Sequence, residues 1–98
     1  MTDALCLSAG DDVANLLGDV RAGDTIRLRP DGTTLVAAGD IPCHHKIALR
    51  ALAPGAVVTR NGIAIGTATC AIAAGAHVHI HNLRSLRARP ASQKDIRS

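Results

Sequence analysis

The chain has 98 residues, which predicts one domain, and it contains no Phe, Tyr or Trp, so its core must be built from Ala, Val, Ile and Leu. Its net charge is +3, but without aromatic residues it has no surface for base stacking, and we expect no nucleic-acid partner. No apolar run approaches the roughly 20 residues of a membrane span, and the first residues lack a basic signal region. Because the three cysteines form no CxxC pair, we expect reduced thiols in a cytoplasmic protein without a membrane partner.

The hydrophobic pattern predicts a mostly β chain with one short helix. Apolar residues at helical spacing behind an acidic N-cap place that helix over 11–20. Strands are predicted near 3–8, 25–29, 33–37, 46–50, 56–60, 63–69 and 76–82. The pattern ends after Leu83, so we expect a folded domain over 1–83 and a basic tail over 84–98 that is flexible or ordered by a partner.

One turn pattern occurs three times in the sequence. In each copy an aliphatic residue is followed three positions later by glycine, and three positions after that by a β-branched aliphatic residue. The triplets are Val20–Gly23–Ile26, Leu52–Gly55–Val58 and Ile72–Gly75–Val78. A glycine at a fixed place before a strand is typical of a turn that needs a positive φ. Because the spacings are unequal, 32 and then 20 residues, the pattern predicts a turn reused within a β domain and not a solenoid.

Charge is unevenly distributed along the chain. The first 40 residues hold seven of the eight acidic residues, all of them Asp, whereas residues 41–83 contain no carboxylate. That second stretch carries Lys46, Arg50, Arg60 and all five histidines. An anionic ligand or an acidic partner surface would complement it. The alternative is that Asp residues of the first half fold over the second half and neutralise it.

Three histidines occupy alternate positions near the end of the predicted domain. On a strand, His77, His79 and His81 would share one face, while Val78 and Ile80 would point into the core. The residue types favour a role in acid–base catalysis or anion binding for these three histidines, because the imidazole ring titrates near neutral pH. Two alternatives remain open: the rings supply ligands to a metal ion, or they face solvent without a role.

Four motifs stand in order along the chain: DDVANLL over 11–17, HKIAL over 45–49, NGIAIG over 61–66 and HVHIHN over 77–82. Together they resemble the SAF domain of the altronate dehydratase and galactarate dehydratase family, in which H-K-[IV]-A-L precedes Y-G-x-x-I-G and H-V-H-x-H-N. The resemblance covers most of residues 11–82. The family often has an aromatic residue where Asn61 stands here.

The resemblance implies a small β-clip fold and a part in β-elimination from hydroxy acids. In this family a small SAF domain works with a much larger catalytic domain, either fused to it or as a separate subunit. We therefore expect the small subunit or N-terminal domain of a sugar-acid hydro-lyase, inactive without its large dehydratase-like partner. The alternatives are a subunit of a lyase that eliminates sulfite from sulfolactate, a non-catalytic module that binds a carbohydrate-like or anionic ligand, and a purely structural subunit. A homo-oligomer is also left open.

The resemblance and the charge pattern together give the candidate site. The candidate catalytic residues are His45, Lys46, His77, His79 and His81. The candidate substrate-binding residues, for an anionic sugar acid, are Asp11, Lys46, Arg60 and Asn82. Metal dependence is common in the family, so a divalent ion (iron, manganese, magnesium or calcium) is expected, held mainly by the partner, with His79 and His81 as candidate ligands here.

Overall fold

A computed structural model describes residues 2–6, 8 and 10–85, and these residues form nine short strands and no helix. The strands are β1 (Thr2–Leu5), β2 (Val13–Leu16), β3 (Thr25–Arg29), β4 (Thr34–Val36), β5 (Lys46–Ala48), β6 (Val57–Arg60), β7 (Ile63–Ala68), β8 (His77–Val78) and β9 (Leu83–Ser85). The prediction of a mostly β, β-clip-like fold is confirmed. Within this part of the chain nothing has the length and apolar character of a membrane-crossing helix.

The strands form two sheets. The larger sheet has six strands in the order β4-β3-β1-β2-β5-β8, and the smaller has three in the order β6-β7-β9. All neighbouring strands are antiparallel except β1 and β3, which are parallel. Two hydrophobic clusters fill the interior, one beneath the larger sheet and one between β5, β8 and the smaller sheet.

The helix predicted over 11–20 is wrong. β2 occupies the centre of that segment and is hydrogen-bonded on both sides, to β1 and to β5. Val13 and Ala14 are both fully buried, one in each hydrophobic cluster, so the strand shows no alternation of buried and exposed side chains. Because this strand is buried on both faces, its apolar residues have a spacing that resembles that of a helix. The hydrogen bonds to two neighbouring strands stabilise the segment more than so short a helix would, since short helices are only marginally stable.

The long histidine strand predicted over 76–82 is also wrong. β8 contains only His77 and Val78, and residues 79–82 turn back into β9. Val78 is fully buried, as predicted, but Ile80 lies on the turn and is 85% exposed. β9 extends past the expected domain boundary at Leu83 and pairs with β7, while residues 86–98 of the predicted tail lie outside the described residues.

The three glycine turns are confirmed, and a fourth turn has histidine at the glycine position. The residue at the centre of each triplet has a positive φ angle: 89° for Gly23, 82° for Gly55, 83° for Gly75 and 69° for His44. In each turn the next residue donates its N–H to the carbonyl three positions earlier, at 3.0–3.1 Å. The fourth triplet is Ile41–His44–Ile47, which the sequence analysis missed because it required glycine at the centre.

The four turns form two equivalent halves of the domain. Val20 bridges to Ile41, so the turn centred on Gly23 pairs with the turn centred on His44. Leu52 bridges to Ile72, so the turn centred on Gly55 pairs with the turn centred on Gly75. The first pair lies in one hydrophobic cluster and the second pair in the other. Equivalent positions are 32 residues apart from Val20 to Leu52 and 31 apart from Ile41 to Ile72. The unequal spacing of the glycine triplets therefore concealed an internal duplication.

The tight turn between β6 and β7 is held by a carboxylate from the start of the domain. Asn61 and Gly62 both have positive φ, at 55° and 73°. Asp11 is only 2% exposed, and its two carboxylate oxygens accept the N–H groups of Asn61 at 2.7 Å and Gly62 at 3.0 Å. Each oxygen thus accepts one backbone N–H of the turn, and the two bonds hold its positive-φ conformation.

We expect Gly75→Ala to destabilise the domain more than Gly55→Ala. Both residues have the same φ, so both variants incur the left-handed strain of about 1–2 kcal/mol. A Cβ at position 75 would also overlap the carbonyl oxygen of Val36, whereas position 55 is open. Urea unfolding followed by far-UV circular dichroism should show a loss of about 3 kcal/mol or more for Gly75→Ala. Equal losses in the two variants would contradict this packing argument.

Asp11→Asn should lower the free energy of unfolding by about 1–3 kcal/mol, because an amide NH₂ would face a backbone N–H that then has no acceptor. Asp31→Asn is the matched control. The exposed Asp31 accepts one backbone N–H, from Thr33, with a single oxygen that an asparagine retains. The same unfolding measurement should place the control within about 0.5 kcal/mol of the unmodified chain.

Candidate functional site

A cleft of about 310 Å³ lies between the two sheets. Lys46 of β5 contributes from the larger sheet, and the turn after β8 contributes from one end. The lining residues are Lys46, Arg60, Asn61, Ile63, Ile65, His79, Ile80, Leu83 and Ser85. The cleft thus has an aliphatic wall and a basic wall, and no acidic side chain lines it among the described residues.

Two cations dominate the basic wall. Lys46 is partly buried, and this burial, followed by the positive charge of Arg60, lowers the pKa of its ammonium group. The Nε of Arg60 is buried and has no hydrogen-bond partner within residues 2–6, 8 and 10–85. A desolvated donor beside a second cation is a site for an anion, because an anion would satisfy the donor and offset both charges.

The acidic first half does fold against the second half, and Asp11 lies near Arg60, since both line one small cavity with Asn61. Asp12 pairs with Arg50 at 3.5 Å and accepts the N–H of Thr59 at 2.9 Å. In the described part of the chain no ion pair joins Lys46 or Arg60 to a carboxylate. Neutralisation by Asp therefore holds for Arg50 and not for the cleft.

The pairing of β5 with β8 gathers three histidines beside the cleft. Lys46 lies opposite Val78 in this ladder, and one step further the same register places His45 opposite His79. The rings of His45 and His79 stack with centroids 4.1 Å apart. Nδ1 of His45 lies 2.8 Å from Nε2 of His77, a hydrogen-bond distance.

The surroundings of His77 and His79 lower the pKa of both rings. Burial lowers the pKa of His77, and the neighbouring His45, His81 and His79 lower it further. Partial desolvation likewise lowers the pKa of His79, followed by the charges of His45, Lys46 and His81. Crowding of groups that carry the same charge therefore disfavours protonation of both rings.

Asn82 holds the turn that presents His79. Its side-chain Nδ2 donates to the carbonyl of His77 at 2.8 Å, and its Oδ1 accepts the N–H of His79 at 3.0 Å. Asn82 is only 7% exposed, so this amide fixes the backbone from inside the turn. Its assignment to substrate binding stays a prediction, and its contacts here make it a positioning residue.

His45, His77 and His79 form a group with metal-ligand chemistry. Their candidate ligand nitrogens all lie within 4.8 Å of one another. His81 stands outside this group, although its ring lies near that of His77, with centroids 5.1 Å apart. Of the two ligands suggested from the sequence, His79 and His81, the structure thus brings only His79 into the group, together with His77 of the same row and with His45, which directly precedes β5.

A second, wider groove of about 530 Å³ lies on the other side of His77. Its lining includes Asp19 and Asp40, two carboxylates of the first half. The Oδ1 of Asp19 accepts the N–H of Cys43 at 2.6 Å. His77 therefore lines a groove of mixed charge, with Asp19, Asp40 and Arg21, and adjoins the basic cleft through His79.

The predicted site residues fall into two sets. Lys46, Arg60 and His79 line the cleft itself, while His45 and His77 adjoin it through their contacts with His79. Asp11 lies beneath the turn that carries Asn61, and its role toward substrate stays a prediction. The sequence analysis missed the aliphatic wall, which includes the exposed Ile63 and Ile80 and the partly buried Ile65.

The comparisons with known proteins agree with the fold and the motifs. Residues 2–86 match the family described as the altronate/galactarate dehydratase SAF domain. Over 79 residues, 81% of this chain, the sequence is 40% identical to altronate dehydratase of Escherichia coli (strain K12), covering 16% of that protein. Over 75 residues, 76% of the chain, it is 33% identical to altronate dehydratase of Bacillus subtilis (strain 168), covering 15% of it.

A second kind of relative is shorter. Over 53 residues, 54% of this chain, the sequence is 42% identical to (2R)-sulfolactate sulfo-lyase subunit alpha of Paracoccus pantotrophus and covers 79% of that protein. By contrast, the chain spans only about a sixth of the length of the altronate dehydratases that it matches. With the family match extending over nearly all the described residues, the chain belongs to the altronate/galactarate dehydratase SAF domain family.

Proposed function

We propose that this chain is the SAF component of a sugar-acid hydro-lyase and that it binds the carboxylate of a hydroxy-acid substrate in the cleft. The observation that carries this proposal is the pair of cations, Lys46 and Arg60, without a carboxylate ion-pair partner in the described part of the chain and beside the aliphatic wall, with Arg60 directly across the β6–β7 ladder from Ile63. The cations suit the carboxylate, and the wall suits the carbon chain.

Dehydration of a hydroxy acid breaks a C–H bond next to the carboxylate and the C–O bond of the neighbouring hydroxyl, and it forms a C=C bond and water. Lys46 and Arg60 stabilise the negative charge that the carboxylate gains as the proton leaves. His79, which lies in the same cleft, is placed to hydrogen-bond the departing hydroxyl. A divalent metal, when bound, supplies Lewis-acid assistance to that hydroxyl, and the three-histidine group fits such an ion.

The remaining machinery belongs to a large dehydratase-like partner in this proposal. No carboxylate that could remove the substrate proton lines the cleft among the described residues. The altronate dehydratases extend far beyond the matched segment, which leaves length for a catalytic part. Ile63 and Ile80, exposed at the cleft, offer that partner an apolar contact. The free thiols of this chain suit the reducing cytoplasm.

A second candidate is a subunit of a lyase that eliminates sulfite from sulfolactate. The observation that favours it is the similarity to the sulfo-lyase alpha subunits, one of which this chain covers for most of its length. The same cations would then bind a carboxylate and face a sulfonate leaving group. A non-catalytic module that binds a sugar acid, or one that only stabilises a partner, would keep the fold but support no turnover.

The first test replaces the matched segment of the Escherichia coli altronate dehydratase with this chain. We expect the chimera to dehydrate altronate, and we expect this chain alone to be inactive because it lacks the partner's base. In the chimera, Lys46→Met should raise KM for the substrate about tenfold or more. Turnover by the chain alone, or a folded chimera inactive toward altronate, galactarate and sulfolactate, would contradict the proposal. Sulfite release from sulfolactate alone would select the second candidate.

The second test measures anion binding directly. Titration of the chain with galactarate, followed by ¹H–¹⁵N NMR, should shift the amide signals of residues that line the cleft. Lys46→Met and Arg60→Met should each weaken this binding about tenfold or more, since each removes a charge-assisted hydrogen bond worth about 1.5–3 kcal/mol. Arg84→Met is the matched control: it removes the same charge from β9 without changing the cleft lining. Equal weakening in the control would indicate a general charge effect.

A further inference from the structure

We infer that His45, His77 and His79 form a site for one first-row transition-metal ion, held by three imidazole nitrogens and open toward the cleft. The inference goes beyond the proposed function, because it places the metal ligands in this chain and not in the partner. It also narrows the ion to the class that nitrogen ligands select, such as Fe²⁺, Co²⁺, Ni²⁺ or Zn²⁺.

The nitrogens already lie close to the spacing that such an ion requires. With metal–nitrogen distances of about 2.0–2.1 Å in tetrahedral geometry, two ligand nitrogens stand about 3.3 Å apart. Here Nδ1 of His45 and Nε2 of His77 are 2.8 Å apart, and all three candidate nitrogens lie within 4.8 Å of one another. Every pair of candidate nitrogens therefore lies within about 1.5 Å of the spacing that such an ion requires.

The backbone beneath the three rings is fixed. His77 belongs to β8, and His45 directly precedes β5, its partner strand. His79 follows β8 in a turn, but the buried amide of Asn82 bonds the backbone on both sides of Val78. Ligands on paired strands and on a clamped turn meet the precision that a metal site demands.

The chemistry of the group discriminates between classes of ion. It contains no carboxylate or carbonyl ligand, whereas Mg²⁺ and Ca²⁺ require oxygen donors. Lys46 adds an opposing positive charge on the cleft side, and the groove beside His77 carries two carboxylates, Asp19 and Asp40, and one guanidinium, Arg21.

Three protein ligands leave at least one coordination position for an exogenous group. His79 is at once a member of the group and a lining residue of the cleft that contains Lys46 and Arg60. An oxygen of a bound hydroxy acid can therefore approach the ion while its carboxylate meets the two cations. This arrangement would join an anion site and a metal site within one SAF domain.

The test is a Co²⁺ titration of the full 98-residue chain, prepared without a histidine tag. We expect one ion per chain and the visible absorption bands of cobalt with nitrogen ligands. His45→Gln, His77→Gln and His79→Gln should each weaken binding about 100-fold or more, beyond the roughly 10–100-fold cost of losing an outer contact. Excess Mg²⁺ or Ca²⁺ should not displace the cobalt.

Two matched controls remove neighbouring histidines that are not in the group. His44→Asn removes an imidazole ring but keeps a residue type that tolerates the positive φ at this position. His81→Gln removes the exposed imidazole ring of His81. Both should bind Co²⁺ within about threefold of the unmodified chain, well under the tenfold step of 1.4 kcal/mol. Absence of binding at millimolar Co²⁺, or equal losses in the controls, would overturn the inference.

Ring-nitrogen NMR of the unmodified chain with Zn²⁺ gives a readout that does not depend on the folding of any variant. We expect large shifts of Nδ1 of His45 and Nε2 of His77, and none for His44. Shifts confined to His44 or His81 would overturn the inference. The proposed function is tested separately, by galactarate binding to the metal-free chain and its Lys46→Met and Arg60→Met variants, which leave all three rings in place.

Discussion

The antiparallel pairing of β5 with β8 is the contact on which the core and the candidate site both depend. Ile47 of β5 is buried in the first hydrophobic cluster, and its neighbour Ala48 is buried in the second. The same ladder sets the register that brings His45 to His77 and His79. Since a shift of one residue would turn every side chain of β5 to the opposite face, the burial of Ile47 and Ala48 also fixes the histidine geometry.

The internal duplication explains why the site lies where it does. Each half uses two turns with a positive φ to bring aliphatic residues together, and each half builds one hydrophobic cluster. With no aromatic side chain to fill space, the backbones approach closely, as at Gly75 against Val36 and at Gly66 against Arg84. The histidines of the site lie around the pairing of β5 with β8, where the larger sheet meets the cleft, so the repeated turns carry the candidate site at one place.

The acidic and basic halves of the chain meet, but in a selective way. Asp11 and Asp12 fold over the second half and hold the β6–β7 turn through backbone N–H groups. This contact places Arg60 at the cleft without neutralising it. Carboxylates that act on backbone donors therefore stabilise the wall of an anion site and leave its positive charge available to a ligand.

The sequence by itself determined the class of fold, most of the strands, the glycine turns and the residue types of the site, because β-branched runs, positive-φ glycines and charge are local properties. Only the tertiary structure decided that 13–16 is a strand, that Ile80 is exposed and that His44 completes a fourth turn. It also decided which histidines meet. The family resemblance suggested His79 and His81 as metal ligands, but the pairing of β5 with β8 brings His45 to His77 and His79, and such pairing depends on burial across the whole domain.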